Sequence, residues 1–269
     1  MIGVGSMGGA ILSGLLAPGI RIALPITVTT QSAASAASRA VEGRVAALAA
    51  ESDPEANRAA VRGAGLVILG VKPWMIHDMV REIAGDLEPD AVLVSVAAGV
   101  TSASIEALVP AGVSVVRAMP NTPSHLGLGM TGIAGGATAS PAAVELARAL
   151  FATVGEVIEV AETQINDVTA VSGSGPAYVF LYAEHMTAAA ERRGFTPEQA
   201  RLLVQQTLVG SAALLARSDE SPAQLRRNVT SPKGTTERAI EVLQGDDWGD
   251  LFDRALAANV RRSEELEGA

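Results

Sequence analysis

Residues 3–8 read Gly3-Val-Gly5-Ser-Met-Gly8, a GxGxxG turn that stands almost at the start of the chain. Glycines at this spacing permit a tight turn and a close approach of the backbone to a pyrophosphate, which the next helix receives at its N-terminus. An apolar helical pattern follows from Ala10 to Leu16. The turn therefore predicts a dinucleotide-type fold, although a GxGxxG by itself is equally typical of an ordinary glycine-rich turn.

The strand that should precede this turn has too few residues in this sequence. Only Met1 and Ile2 stand before Gly3, whereas the fingerprint normally follows a full strand. Either the true start lies upstream or the central strand of the sheet is nearly absent. In the first case, a longer N-terminus is expected to tighten cofactor binding and raise the melting temperature.

The first half of the chain alternates short β-type runs with helical patterns, which is typical of a parallel sheet with crossover helices. The runs are rich in Val, Ile and Leu and bounded by Gly or Pro, as strands buried on both faces are. They are Ile26–Thr29, Leu66–Val71, Ala91–Val96, Ser114–Ala118, Met130–Ala134 and Gly155–Val160. A helix is predicted at Pro141–Ala152.

After about Glu159 the pattern is helical. The predicted helices are Tyr178–Arg193, Pro197–Arg217, Pro222–Asn228, Thr236–Leu243 and Trp248–Glu265. Thr196 and Ser221 each precede a Pro and stand three residues before a Gln, which is the spelling of a capping box. We therefore predict an α/β, Rossmann-type doubly wound parallel sheet in residues 1–158, followed by an all-helical domain in residues 159–269 for substrate binding and dimerisation.

Composition narrows the class of protein. The formal net charge is −9, which argues against nucleic-acid binding because a phosphate-binding face needs clustered Lys and Arg. The chain has no cysteine, so thiolate chemistry is excluded. Charged residues or prolines interrupt every apolar stretch before it reaches membrane-spanning length. We expect a soluble, cytoplasmic protein without a membrane partner.

The end of the predicted second strand bears on the cofactor. Enzymes that prefer NAD normally carry Asp or Glu there, bonded to the ribose hydroxyls. Here residues 29–32 read Thr-Thr-Gln-Ser, without an acid. The stretch favours NADPH, with NADH as the second candidate. The alternative interpretation is that polar residues simply end the strand.

Four further segments carry a family resemblance: Gly70-Val-Lys-Pro73, Arg117-Ala-Met-Pro-Asn-Thr-Pro123, Asp167-Val-Thr-Ala-Val-Ser-Gly-Ser-Gly-Pro-Ala-Tyr178 and Asn228-Val-Thr-Ser-Pro-Lys-Gly-Thr-Thr236. Together with the N-terminal turn, and in the same order, they resemble pyrroline-5-carboxylate reductase, the last enzyme of proline synthesis. The resemblance runs from Ile2 to about the final helix, and the last two segments are its most specific motifs.

The resemblance implies an NAD(P)H-dependent oxidoreductase that reduces a cyclic imino acid, 1-pyrroline-5-carboxylate, to L-proline. Matching positions hold the dinucleotide in the family: Gly3, Gly5, Ser6, Met7, Thr29, Gln31, Asn57, Val71, Lys72, Ala98 and Asn228. Others hold the substrate: Glu162, Thr235 and Thr236. It also implies homodimers formed by the helical domains, which often assemble into rings of dimers.

Two positions depart from the family pattern. Gly70 stands where the family usually has Ala, which we expect to be harmless. Lys233 stands where the family usually has a second Gly, directly before the substrate loop. If that Gly serves a positive φ, the backbone of the loop is in question.

The residues also support a substrate site directly. The segment from Ser231 to Thr236 runs into a predicted helix, and its amides and hydroxyls suit a carboxylate, although a simple N-cap would look the same. The Gly173–Pro176 stretch is predicted as a second turn-to-helix junction. Lys72 and Lys233 are the only lysines among 20 basic residues, and both fall inside these motifs. We predict Thr236 as the catalytic residue that hydrogen-bonds the ring nitrogen.

No histidine is predicted to be catalytic. His77 and His185 stand in helical patterns and are expected to be surface or packing residues. His125 follows the Pro-Asn-Thr-Pro turn, and lining the cleft is one alternative for it. No cluster has metal-ligand spacing, so no metal is expected. This agrees with the chemistry, because a protonated imine is already electrophilic and needs mainly orientation and a hydride donor.

Three rival functions stay open. A β-hydroxyacid dehydrogenase shares the GxGxMG loop, but it uses a lysine on the first long helix of its second domain, and the stretch Tyr178–Arg193 has none. A reductase of a different cyclic imine fits most of the same residues. A non-catalytic dinucleotide-binding regulatory protein has no use for the Ser231–Thr236 loop.

Overall fold

The computed structural model describes residues 1–22, 25–245 and 247–267, which form two compact units. The first unit joins Met1–Pro176 to Ala258–Ala269, and the second is Ala177–Ala257. The first compact unit therefore extends beyond the predicted boundary at residue 158, and it also includes the C-terminal segment of the chain. The functional boundary at residues 158 and 159 stays a prediction, because compact units reflect packing and not function.

The first unit is built on strands joined edge to edge. They are β1 (Ile26–Thr30), β2 (Val45–Ala49), β3 (Leu66–Leu69), β4 (Val92–Ser95), β5 (Ser114–Met119), β6 (Gly129–Gly135) and β7 (Gly155–Glu159). β1 pairs with β2, and the other five follow in the order β3-β4-β5-β6-β7. Every pair is parallel except β5 with β6, which is antiparallel. The strands predicted from the sequence are all present, and β2 is an addition.

The N-terminal residues join the two groups of strands. Ile2 forms parallel bridges to Thr29 of β1 and to Leu69 of β3. Its amide donates to Ile68 O at 2.8 Å, and Val4 N donates to Thr29 O at 3.0 Å. Residues 1–4 therefore supply a short central strand, which occupies the position where the strand order reverses. Ligands of doubly wound sheets bind at that reversal, beyond the carboxyl ends of the strands.

Both faces of the sheet are covered. The helices of the first unit are α1 (Ser6–Leu15), α2 (Ala33–Arg39), α3 (Ala56–Val61), α4 (Ile76–Ile83), α5 (Ser102–Glu106), α6 (Pro141–Ala152) and α7 (Ile165–Val168). Adjacent residues of β4 point to opposite sides: Val94 packs in a core cluster with Ile11 and Phe151, and Leu93 packs in a second cluster with Ile76. This two-sided burial explains the nearly continuous apolar runs of the strands and confirms the Rossmann-type doubly wound fold.

The remaining helices are α8 (Gly175–Arg192), α9 (Pro197–Arg217), α10 (Pro222–Asn228), α11 (Thr235–Gln244) and α12 (Trp248–Glu267). The box at Thr196 is complete, since Thr196 and Gln199 exchange both side-chain-to-amide bonds. The box at Ser221 is half formed, because Gln224 Oε1 accepts from the Arg227 guanidinium instead of from the Ser221 amide. Across the described residues, none of the helices has both the length and the apolar character needed to cross a membrane.

Candidate functional site

The glycine-rich turn has the geometry of a pyrophosphate cradle. Gly3 has a φ of 75°, and a Cβ built there would lie 2.5 Å from Val71 Cγ1, so only glycine fits. Gly5 precedes α1, and a Cβ built on it would meet nothing within 4 Å. The first amides of a helix lack intrahelical partners. Ser6 and Met7 therefore present free amides beside open space, which fits the phosphates of a dinucleotide.

Thr29 lies beneath this turn. It is 2% exposed, and its Oγ1 accepts a hydrogen bond from Gly3 N at 3.3 Å. Its backbone N–H and C=O also both bond the N-terminal segment, at Met1 O and Val4 N. We therefore expect Thr29 to support cofactor binding indirectly, by holding the backbone of Gly3 in place.

Three other predicted cofactor residues follow the carboxyl ends of strands. Gln31 is exposed after β1, Val71 is half-buried after β3, and Ala98 follows β4 and packs against the core cluster that contains Met119. Because these strand ends share one edge of the sheet, the structure brings the three residues to the side of the glycine turn. Lys72 is exposed beside Val71.

Asn57 and Gly70 add detail at this edge. Asn57 is buried at the start of α3, and its Nδ2 donates to Glu82 Oε1 at 3.0 Å. A Cβ on Gly70 would lie 2.7 Å from Gly3 O. We expected the glycine at position 70 to be harmless. The structure shows instead that it matters, because an alanine there would require the Gly3 carbonyl to move.

His125 and Asn121 lie close to the glycine turn and the family motifs, although neither was among the predicted site residues. His125 Nε2 lies 3.0 Å from the Oγ of Ser6 in the glycine turn. Asn121 accepts from Met130 N at 2.9 Å and donates to Ser172 O at 3.1 Å. It thereby ties two of the family motifs together within the first unit. The signal in the sequence was the Pro-Asn-Thr-Pro turn that carries both residues.

A buried arginine organises the far part of the same unit. Arg117 is 1% exposed, and its Nη1 lies 2.9 Å from Glu267 Oε1 and 3.4 Å from Glu162 Oε1. Its Nη2 donates to Asn166 Oδ1 at 3.0 Å, and Asn166 donates to Glu267 Oε1 at 3.1 Å. We call these four residues the Arg117 cluster. Arg117 stands in one of the family motifs, but the motif alone predicted no role for its side chain.

Within the cluster, Glu162 has one oxygen in use. Its Oε1 also accepts from Ser102 N at 2.9 Å. Its Oε2 is buried and makes no hydrogen bond within the described residues. A buried carboxylate oxygen without a donor is costly, so this atom suits a donor from outside the chain. Glu162 is the predicted substrate residue of this unit.

The segment with the motif Asp167–Tyr178 differs from the expected turn-to-helix junction. α7 passes directly into a π-helical turn at Thr169–Gly173, and α8 begins at Gly175. Ser174 N donates to Thr169 O at 2.8 Å. The predicted turn-to-helix junction at Gly173–Pro176 is therefore wrong, because helical turns already precede α8 here.

The predicted substrate loop lies in the second unit. Gly234 N donates to Ser231 O at 2.9 Å, which closes a turn. Lys233 has a φ of 60°, so the chain keeps the left-handed backbone that the family's glycine suggested. Its amide donates to Glu237 Oε2 at 2.8 Å.

Thr235 and Thr236 are exposed in the first turn of α11. The N-cap is Gly234, which makes no side-chain cap, so Thr236 does not cap the helix. Neither threonine hydroxyl makes a hydrogen bond to any part of the chain that the structure describes. Asn228, the predicted cofactor residue of this unit, is exposed and bonds Gln224 and Glu220.

Replacing Lys233 with glycine is expected to stabilise the protein by about 0.5–1 kcal/mol, because it removes the cost of a left-handed non-glycine residue. The amide bond to Glu237 is kept. Thermal melting at a fixed protein concentration measures the change. Gly234→Ala is the opposed control, since its Cβ would lie 2.8 Å from Ser231 O and should lower the melting temperature. A less stable Lys233→Gly variant would show that the lysine side chain holds the loop.

Comparison with known proteins agrees with this geometry. The family described as pyrroline-5-carboxylate reductase dimerisation matches residues 162–266. The family described as NADP oxidoreductase, coenzyme F420-dependent, matches residues 1–99. The chain thus combines a dinucleotide-type first half with a dimerisation-type second half.

Individual relatives match over their whole length. The pyrroline-5-carboxylate reductase of Pseudomonas aeruginosa is 41% identical, covering 98% of this chain and 95% of the relative. That of Vibrio alginolyticus is 37% identical over 99% and 96%. A solved pyrroline-5-carboxylate reductase from Coxiella burnetii superposes with a TM-score of 0.90 at 40% identity, covering 98% of this chain and 96% of that one. This chain belongs to the pyrroline-5-carboxylate reductase family.

Proposed function

We propose that this protein reduces 1-pyrroline-5-carboxylate to L-proline with NADPH, with NADH also accepted, as the last step of proline biosynthesis. The observation that carries the proposal is full-length similarity, 41% over 98% of the chain, to a pyrroline-5-carboxylate reductase. We further propose that the reaction takes place in the cytoplasm.

The cofactor residues act as a cradle in this proposal. The amides of Ser6 and Met7, which begin α1 and lack intrahelical partners, bind the pyrophosphate. Gln31, Asn57, Val71, Lys72, Ala98 and Asn228 line the rest of the dinucleotide. When bound, the cofactor supplies the hydride that the imine carbon receives.

The substrate residues orient the ring. Thr236 is the proposed catalytic residue, because its hydroxyl is exposed, free of bonds within the described chain and beside the first amides of α11. It hydrogen-bonds the ring nitrogen as the imine becomes an amine. Thr235 and the neighbouring amides hold the carboxylate. Glu162 offers its unpartnered Oε2 to a donor on the substrate.

Two rivals are disfavoured by particular residues. A β-hydroxyacid dehydrogenase would need a lysine on α8, and Gly175–Arg192 contains none. A non-catalytic binder would not need the exposed threonine pair after Ser231. A reductase of another cyclic imine would have the same cradle and the same loop. Only its preference for a substrate ring of a different size would distinguish it.

Ring size gives the test of this proposal. The purified protein is incubated with NADPH and either 1-pyrroline-5-carboxylate or its six-membered homologue, and the products are identified by chromatography. We expect L-proline from the five-membered imine at a kcat/KM at least tenfold above that of the homologue, since one methylene is typically discriminated by about 1–3 kcal/mol. A preference for the six-membered ring would replace the proposed substrate.

We propose a homodimer, or a ring of dimers, assembled through the helical unit. Among the described residues of 177–257, only Ala200 and Val204 are buried hydrophobics. Large side chains such as Phe180 (66% exposed) and Leu202 (64%) lie open on α8 and α9. Apolar faces of this extent mark an interface. Light scattering at micromolar concentration should give at least twice the chain mass of 27.4 kDa. A sharp monomer mass would contradict the proposal.

A further inference from the structure

The carboxylate of Glu51 lies beside the carboxyl end of β1, although the stretch Thr29–Ser32 itself contains no acid. Glu51 follows β2, and its Oε1 accepts from Ala33 N at 2.6 Å. Its own amide donates to Gln31 O at 3.0 Å. Both bonds fix the carboxylate beside Gln31 and Ser32, directly after β1. Among the described residues, no Lys or Arg forms an ion pair with Glu51.

This position bears on the adenosine ribose. In dinucleotide folds the carboxyl end of the strand that corresponds to β1 faces the ribose, and an acid there accepts bonds from its hydroxyls. A phosphate on the 2′ position would lie close to the same carboxylate, and two like charges at short range repel. The Ala33 amide, a natural donor to an anion, is already bonded to Glu51.

We propose that Glu51 is a specificity-determining residue for the cofactor. Its carboxylate weakens binding of the 2′-phosphate of NADPH and accepts a bond from the 2′-hydroxyl of NADH. The preference for NADPH is therefore smaller than the acid-free stretch Thr29–Ser32 predicts. This inference rests on the proposed cofactor cradle.

Direct binding tests it without any substrate. The dissociation constants of NADP⁺ and NAD⁺ are measured by calorimetry for the wild type, for Glu51→Gln and for Glu42→Gln. The glutamine keeps an acceptor for Ala33 N, so α2 should start as before and the melting temperature should stay unchanged. Glu42→Gln removes the same charge from an exposed position before β2 and serves as the control.

We expect Glu51→Gln to bind NADP⁺ about tenfold more tightly and NAD⁺ no more tightly than the wild type, because only the phosphate gains from the lost charge. Glu42→Gln should match the wild type with both cofactors. An unchanged ratio of the two dissociation constants in Glu51→Gln would overturn the role of Glu51 and leave the proposed function standing. If the wild type bound neither dinucleotide, the cradle itself would fail, and the inference with it.

Discussion

Replacing Thr236 with alanine is expected to lower kcat/KM by about one to two orders of magnitude, equivalent to roughly 1.5–3 kcal/mol of transition-state binding. The lost hydroxyl bonds the ring nitrogen while the imine becomes an amine, so its loss should appear mainly in kcat. Because the N-cap of α11 is Gly234, the stability of the variant should equal that of the wild type. Steady-state kinetics and thermal melting measure the two effects.

Two neighbouring variants make the result specific. Thr236→Ser keeps the donor and should retain most of the activity. Thr235→Ala should act mainly on KM, since that residue is placed nearer the carboxylate. Affinity for NADP⁺ should barely change in any of the three. A Thr236→Ala variant that lost stability and kept its kinetics would mean that the residue only supports the helix.

Replacing Arg117 with methionine is expected to lower the free energy of unfolding by about 3–5 kcal/mol, because two carboxylates then lose their shared cation in a buried place. Glu162 and Glu267 both lie within 3.4 Å of its Nη1. Since Glu162 is the proposed substrate residue, kcat/KM should fall as well, by about tenfold or more. Urea unfolding at a fixed protein concentration gives the first quantity.

An exposed ion pair is the matched control. Arg148 pairs with Glu159 at 2.7 Å but is 33% exposed, so Arg148→Met should cost under about 1 kcal/mol. Combining Arg117→Met with Glu267→Gln should recover part of the lost stability, because one uncompensated charge is removed. Arg117→Met as stable as Arg148→Met would show that the Arg117 cluster does not hold this part of the fold.

The fold was largely predictable because its signals are local. Pro141–Ala152, Pro197–Arg217 and Pro222–Asn228 match their predicted bounds, since a proline at the first position marks each start. β2 was missed: Val45–Ala49 is mostly alanine, which carries little strand propensity, and it lies at the edge of the sheet. The strand forms because its backbone hydrogen-bonds to β1, and not because its own residues favour a strand.

Part of the candidate site lies in continuous motifs that the sequence displays, and part depends on contacts between distant residues that it does not display. The glycine turn and the Ser231–Thr236 loop are each formed by a few consecutive residues, so a local motif can predict them. Glu51 reaches Ala33 across 18 positions, and Asn166 reaches Glu267 across 101. No local pattern encodes such pairs, because the sheet and the last helix bring them together. The expected junction at Gly173 failed for a related reason, since glycines there lie within continuous helical turns.

The most direct measurement of the central claim is the initial rate of NADPH oxidation with 1-pyrroline-5-carboxylate as the sole acceptor, for the wild type and for Thr236→Ala. Reduction of the imine at a site containing Thr236 predicts rapid, saturable oxidation by the wild type, one L-proline formed per NADPH consumed, and a kcat/KM about 10–100-fold lower in the variant. Oxidation no faster than without the imine, in a wild-type protein that binds NADP⁺, would contradict it.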